Sequence, residues 1–167
     1  MEYILKTAEV FAGLPKESIE RLISISRPQH LDKDEYLFRI GDQADRFFLV
    51  RNGEVATCLP LRIAGGVRDI AVDTIGPGEV LGWSAFVQPH RFTLSARATR
   101  ETELIAFDRE GLSRFLASDP DLGSRFFARL TEIIGHRLLT IQALWGRELQ
   151  RTVSAGLLER EETAQQS

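Results

Sequence analysis

The chain has 167 residues, 43% hydrophobic and 27% charged, the balance of an ordinary globular protein, which excludes disorder for its bulk. Its 21 basic and 24 acidic side chains leave a net charge of −3, so composition gives no electrostatic footprint for gripping nucleic acid. No apolar run approaches the ~20 residues that span a bilayer, no signal peptide opens the chain, and Cys58, the single cysteine, can form no internal disulfide; the expectation is a cytoplasmic protein without membrane contact.

Residues 1–30 read as an N-terminal helical cap, with Pro15 placed for a first turn and Leu14, Ile19, Leu22 and Ile23 forming one apolar stripe up to about Ser26. Residues 31–107 change to short strands punctuated by Gly41-Asp42, Asn52-Gly53, Gly65-Gly66 and Gly76-Pro77-Gly78. Phe47, Leu49 and Arg51 alternate with Phe48, Val50 and Asn52, and the Asn-Gly pair suits a tight hairpin into Glu54-Val55-Ala56-Thr57. About eight strands at this spacing must close on themselves or pack in two layers, so a rolled or barrel-like sheet is expected. Arg97, between the inward Ala96 and Ala98, is expected to face outward and pair with an acid on a neighbouring strand.

Residues 108–153 return to helix. Asp108 is the expected cap of a short one with Leu112, Phe115 and Leu116 inward, and Asp119-Pro120 opens another. Over 121–152 there is no proline, and apolar residues recur at Phe127, Leu130, Ile134, Leu138, Ile141 and Leu144, with Trp145 beside them. That is a helix of roughly 45–50 Å, longer than a small domain can cover. The surplus stripe either folds back on the β-block or, as its near-heptad steps favour, pairs with a second copy in a parallel homodimer; Gly135 and Gly146 fit closely approaching helices. Residues 154–167 read as a polar tail.

The densest chemistry lies in Gly78-Glu79-Val80-Leu81-Gly82-Trp83-Ser84-Ala85 and onward through Pro89-His90-Arg91-Phe92-Thr93 to Ala96-Arg97-Ala98. It reads as strand, anion-receiving turn, strand: glycines let the backbone approach a ligand, Ser84 opens a short helix with free N–H groups, and Arg91 supplies a cation. The competing reading makes these ordinary turn residues between two strands.

Three stretches together carry a family resemblance over nearly the whole chain. Phe38-Arg39-Ile40-Gly41-Asp42-Gln43-Ala44-Asp45, Phe48-Leu49-Val50-Arg51-Asn52-Gly53-Glu54-Val55 and the segment above resemble the strand-Gly-Asp turn, the Ile-x-x-Gly-x-Val segment and the phosphate-binding cassette of the cyclic nucleotide-binding domain. The resemblance implies a mainly β fold with flanking helices, a double-stranded β-helix or jelly-roll-like β-roll, and a long C-terminal dimerisation helix. It also implies a non-enzymatic regulatory or sensor domain, homodimeric through 121–152, acting on an unknown downstream protein and taking cyclic AMP or cyclic GMP if it takes a nucleotide. In the catabolite activators of this family a helix-turn-helix domain follows the long helix, and too few residues follow Val153 to supply one, so no nucleic-acid contact by this chain is expected. A stand-alone sensor, the sensor half of a longer regulator, and a ligand-free interaction module stay open.

In the family a Gly-Glu pair presents its glutamate to the ribose, and an arginine followed by Ser, Thr or Ala clamps the cyclic phosphate. Pro77-Gly78-Glu79 is similar to an earlier turn, so the ribose pair falls on Gly82-Trp83 and the phosphate position on Phe92, next to Arg91. The resemblance thus marks Gly82, Trp83, Ser84, Ala85, Arg91, Phe92 and Thr93 as the ligand-binding set, with both ligand-reading side chains altered or displaced. Either Arg91, Thr93 and the amides after Ser84 compensate for an anion, or Trp83 and Phe92 plug the pocket. No metal site is expected, because His30, His90 and His136 lie far apart on different elements; no Gly-x-Ser-x-Gly elbow or paired-carboxylate grouping points to catalysis. Haem sensing occurs on related folds and rests here on His90 alone.

Overall fold

The computed structural model describes residues 1–63 and 65–165, with the side chains of the last helix described through Ser154. The chain divides into one unit from Met1 to Leu130 and a second from Thr131 onward.

The first unit opens with α1 (Glu2–Thr7), a 3₁₀ turn (Glu9–Phe11) and α2 (Lys16–Ile25), which bury Leu5, Phe11, Ile19 and Leu22. Pro15 stands just ahead of α2 as its N-cap residue. The first strand, β1 (Ser26–Leu31), starts five residues before the expected β-block and pairs with β8 (Thr102–Asp108) from Ser26↔Phe107 to Leu31↔Thr102. Pro28 disguises it. Proline is tolerated in a strand at a sheet edge, and β1 is an edge: the sheet order is β1-β8-β3-β6.

The remaining strands are β2 (Tyr36–Phe38), β3 (Arg46–Asn52), β4 (Val55–Ile63), β5 (Gly66–Ile75), β6 (Val80–Leu81) and β7 (Ser95–Ala98). They form two four-stranded sheets, the second ordered β2-β7-β4-β5, with every ladder antiparallel. The expected hairpin at Asn52-Gly53 is not one: β3 pairs with β6 and β8, while β4 pairs with β5 and β7. The turn hands the chain from one sheet to the other. It does so in tight quarters, because Gly53 has φ +91° and a Cβ there would lie 2.5 Å from the Glu101 carbonyl oxygen and Thr102. Thr102 Oγ1 accepts from the Glu54 amide at 3.0 Å and fixes the crossover.

Phe47, Phe48, Leu49 and Val50 are all buried, so β3 is covered on both faces, not one. On one face, Phe48 and Val50 join Leu31, Val55, Ile75, Leu81, Phe92, Ala96, Ala98 and Leu104 in the core enclosed by the sheets. On the other, Phe47 and Phe107 meet Phe11 and Phe126 in edge and tilted ring contacts with centroids 5.5–5.8 Å apart. Helix α3 (Arg109–Ala117) is capped as expected, Asp108 accepting from the Gly111 amide, and buries Leu112, Phe115 and Leu116.

Helix α4 (Pro120–Gln165) starts in the first unit, where Leu122, Phe126 and Leu130 are buried. The second unit is helical as far as it is described, and exposes Leu138, Leu139, Leu144, Trp145, Leu149 and Val153. Helix continues to Gln165 through most of the segment read as a polar tail; Gln166 and Ser167 lie outside the described residues.

Candidate functional site

β6 ends at Leu81, and Gly82 turns the chain in the left-handed region at φ +87°. A side chain there would be strained by that φ and crowded as well, since a Cβ would lie 3.0 Å from the Arg46 carbonyl oxygen and 3.2 Å from the Phe48 ring. Gly82 caps a 3₁₀ turn, Trp83–Phe86, so the helix opens at Trp83, one residue ahead of the expected Ser84. Ser84 and Ala85 are buried and Trp83 is half-buried. Of the amides counted on for an anion, that of Ala85 already donates to the Gly82 carbonyl at 3.0 Å.

A loop then returns through Val87, a cis Gln88-Pro89 bond and His90, which has φ +55°. It is zipped to the turn after β2: the Gly41 amide donates to the Phe92 carbonyl at 2.8 Å, the Phe92 amide to Asp42 at 3.0 Å, and the Ala44 amide to His90 at 2.8 Å. The Asp42 carboxylate holds that turn by accepting from the Arg39 amide at 2.8 Å. The strand-Gly-Asp turn and the cassette are therefore one structural unit.

The zipper decides where the two central side chains go. Arg91 is exposed and its guanidinium donates to the Gly41 carbonyl at 2.7 Å. Phe92 turns inward, is 5% exposed, and lies flat on Phe38 with centroids 3.6 Å apart. Phe38 in turn stacks on Phe48 at 6.0 Å. The lumen behind the cassette thus holds three phenyl rings where the resemblance implies a cation. Thr93 is exposed beyond them, and the Nδ1 atom of His90 is buried without a hydrogen-bond partner. Glu79 does not reach the lumen: its carboxylate accepts from the Gly76 amide at 2.6 Å and closes its own turn.

Two relationships had no sequence signal beyond hydrophobicity. Phe38 is the ring that receives Phe92, and Phe86 is an aromatic link from the cassette to the start of α4. Phe86 meets Phe47, Phe126 and Phe127 edge-on at 5.5–5.6 Å. On the outer side of the second sheet, Arg97 faces outward as expected, but its acid partner at 2.9 Å is Asp34, in the turn before β2 and not on a neighbouring strand. Beside it the Tyr36 hydroxyl donates to Asp69, and Arg39 lies over the Tyr36 ring at 3.8 Å. The bond to Asp69, with burial second, pushes the Tyr36 phenol above its usual range; burial does the same to the Cys58 thiol. Among the described residues no cluster of His, Cys, Asp or Glu could hold a metal, and no helix is long and apolar enough to cross a membrane.

The sequence matches the family model described as the cyclic nucleotide-binding domain over residues 28–119. A CRP-like cAMP-activated global transcriptional regulator of Mycobacterium tuberculosis is 25% identical over 138 residues, 83% of this chain and 58% of that protein. The cyclic AMP receptor protein of Thermus thermophilus is 25% identical over 155 residues, covering 93% of this chain and 70% of the relative. Among solved structures, a cyclic nucleotide-binding domain from Methylobacillus flagellatus superposes with a TM-score of 0.71 at 23% identity, over 84% of this chain and 79% of the other. The catabolite activator protein of Thermus thermophilus does so with a TM-score of 0.65 at 25% identity, over 81% and 62%. The chain thus spans little more than half the length of the mycobacterial regulator.

Proposed function

The chain belongs to the cyclic nucleotide-binding domain family, and from that premise we propose that it is a dimeric regulatory module whose cassette is closed by aromatic packing and does not receive a cyclic nucleotide in the family's manner. The stack of Phe92 on Phe38 carries this reading. Losing two charged hydrogen bonds to the nucleotide costs roughly 3–6 kcal/mol. Displacing Phe92 from the core adds about 1.5–3 kcal/mol for the buried ring. At 1.4 kcal/mol per factor of ten, these costs turn a micromolar site into one weaker than millimolar.

The module's output is the long helix. Leu138, Leu139, Leu144, Trp145, Leu149 and Val153 expose more apolar surface than a solitary helix in water favours, and steps such as Leu138 to Trp145 match a parallel coiled-coil seam. Phe86, wedged against Phe126 and Phe127, ties the position of the cassette turn to the first turns of that helix. Whatever moves Trp83–Phe86 therefore acts on the base of the dimer helix. The regulators it resembles suggest that the target is a DNA-binding segment or a separate protein. Thermal-shift measurements with cyclic AMP and cyclic GMP, run beside sedimentation of the free protein, test both halves: an unchanged midpoint and a mass twice 18.8 kDa are expected.

A second reading keeps a small anionic ligand at the cassette mouth, on Trp83, Ser84, Arg91 and Thr93. It is favoured by Arg91, which spends one donor on Gly41 and keeps the others at the surface. Anion binding that Arg91→Ala abolishes supports it.

A further inference from the structure

A groove of about 650 Å³, none of whose lining residues belongs to the cassette, runs along the edge strand β1 and the junction of β8 with α3. Three arginines line it from three different elements: Arg27 from β1, Arg46 from β3 and Arg114 from α3. The single acid among the lining residues is Asp108, and its carboxylate is engaged as the α3 cap, accepting from the Gly111 amide at 3.2 Å. In a chain of net charge −3 this is a local reversal of sign.

Strand register brings two of these cations, Arg27 and Arg46, together. Arg27 stands opposite Ala106 and Arg46 opposite Asp108. Ala106 and Asp108 are two residues apart and share a face of β8, so Arg27 and Arg46 flank that face from either side. The strands that carry them lie two spacings apart, about 10 Å, within joint reach of two arginine arms. Arg27 and Arg114 make no ion pair or side-chain hydrogen bond among the described residues, and Arg46 has only a 3.5 Å contact with its neighbour Asp45. All three are exposed. Ile25, Pro28 and Ala106 add apolar surface to the lining, beside Gln29 and Gly111.

We propose that this groove binds a small phosphate-bearing ligand, its phosphate held between Arg27 and Arg114 with Arg46 beside them. Guanidinium groups match phosphate oxygens two at a time, and those with no partner in the protein have no bond to give up. The volume falls in the range of small-molecule sites, ~300–1,000 Å³. Addition of an acidic peptide as an extra strand fits less well, because Pro28 removes a backbone donor from β1. None of the groove's lining residues belongs to the cassette, so the proposal does not rest on the cassette being closed.

The test is titration of inorganic pyrophosphate into the intact protein at about 0.15 M salt, followed by calorimetry and by amide chemical shifts. Saturable binding at millimolar concentration or tighter is expected, with shifts confined to β1, the start of β3, the end of β8 and α3. Arg27→Glu and Arg114→Glu should each weaken it at least tenfold, and Arg91→Ala should leave it unchanged. Melting midpoints equal to wild type will show that the charge reversals have not unfolded the protein. Absence of saturable binding, equal binding by both reversed variants, or binding of a hexaglutamate peptide in place of pyrophosphate overturns the proposal. Heat from a cyclic nucleotide that disappears in Arg27→Glu and persists in Arg91→Ala belongs to this groove and leaves the closed cassette intact.

Discussion

Phe92 lies on Phe38 with the two ring planes 8° from parallel and their centroids 3.6 Å apart, inside the core that the two sheets enclose. The contact follows from the zipper between Gly41–Ala44 and His90–Phe92, which leaves Arg91 at the surface and sends its neighbour inward. The ring is then part of what holds the β-roll together. Phe92→Ala should cost about 3–5 kcal/mol, the range for removing a buried phenyl group. Urea unfolding followed by tryptophan fluorescence measures it; a loss under 1 kcal/mol would mean that the ring is not packed as described.

The crossover at Gly53 makes a sharper demand than a hairpin. Its φ of +91° and the 2.5 Å approach of a Cβ to Glu101 and Thr102 leave no relaxed position for a side chain. Gly53→Ala is expected to destabilise by about 2 kcal/mol or more. Gly41→Ala, with φ +88° but open space around the Cβ, should cost only the backbone strain, so the Gly53 variant melts lower of the two.

Alkaline pH reaches the second sheet through Tyr36. Its folded pKa lies above the unfolded value because the hydroxyl donates to Asp69 and is partly removed from water. The stabilisation is complete below the unfolded phenol pKa of about 10 and is lost as pH rises from there through the folded value. Absorbance at the phenolate band should show Tyr36 titrating above the ordinary phenol range. Tyr36→Phe should remove that step and flatten the alkaline loss of stability.

On α4, Leu138 and Trp145 are 54% and 64% exposed, so neither is needed by the chain's own core. Leu138→Glu and Trp145→Glu should therefore leave the β-roll intact and, by placing like charges across a parallel seam, convert dimer to monomer. Sedimentation equilibrium at micromolar concentration reads the change. An unaltered mass in both variants would place the dimer contact elsewhere.

Much of the fold was legible because local signals agreed: turn glycines, period-two strands and the Asp108 cap all point the same way. The misreadings came from residues whose meaning depends on position in the sheet. Pro28 argues against a strand unless the strand is an edge, and Asn52-Gly53 argues for a hairpin unless the next strand joins another sheet. The cassette was legible as a segment but not as a surface. Sequence placed Arg91 and Phe92 side by side; only the pairing of this loop with Gly41–Ala44 determines which of them faces the lumen. Nothing in sequence spacing marked Phe38 as the partner of Phe92, or joined Arg27 and Arg46, which the β1-β8-β3 register brings to one face, with Arg114 of α3 lining the same groove.

The closed cassette is tested most directly by calorimetric titration of cyclic AMP and cyclic GMP into wild-type protein and into the double variant Trp83→Glu, Phe92→Arg, which returns the family's two ligand-reading side chains to their positions. Wild type should give no saturable binding below millimolar nucleotide, and the double variant should bind at least tenfold more tightly than wild type. Micromolar binding by wild type that Arg91→Ala abolishes would contradict the account, because it would mean that the cassette opens and that Arg91 clamps the phosphate.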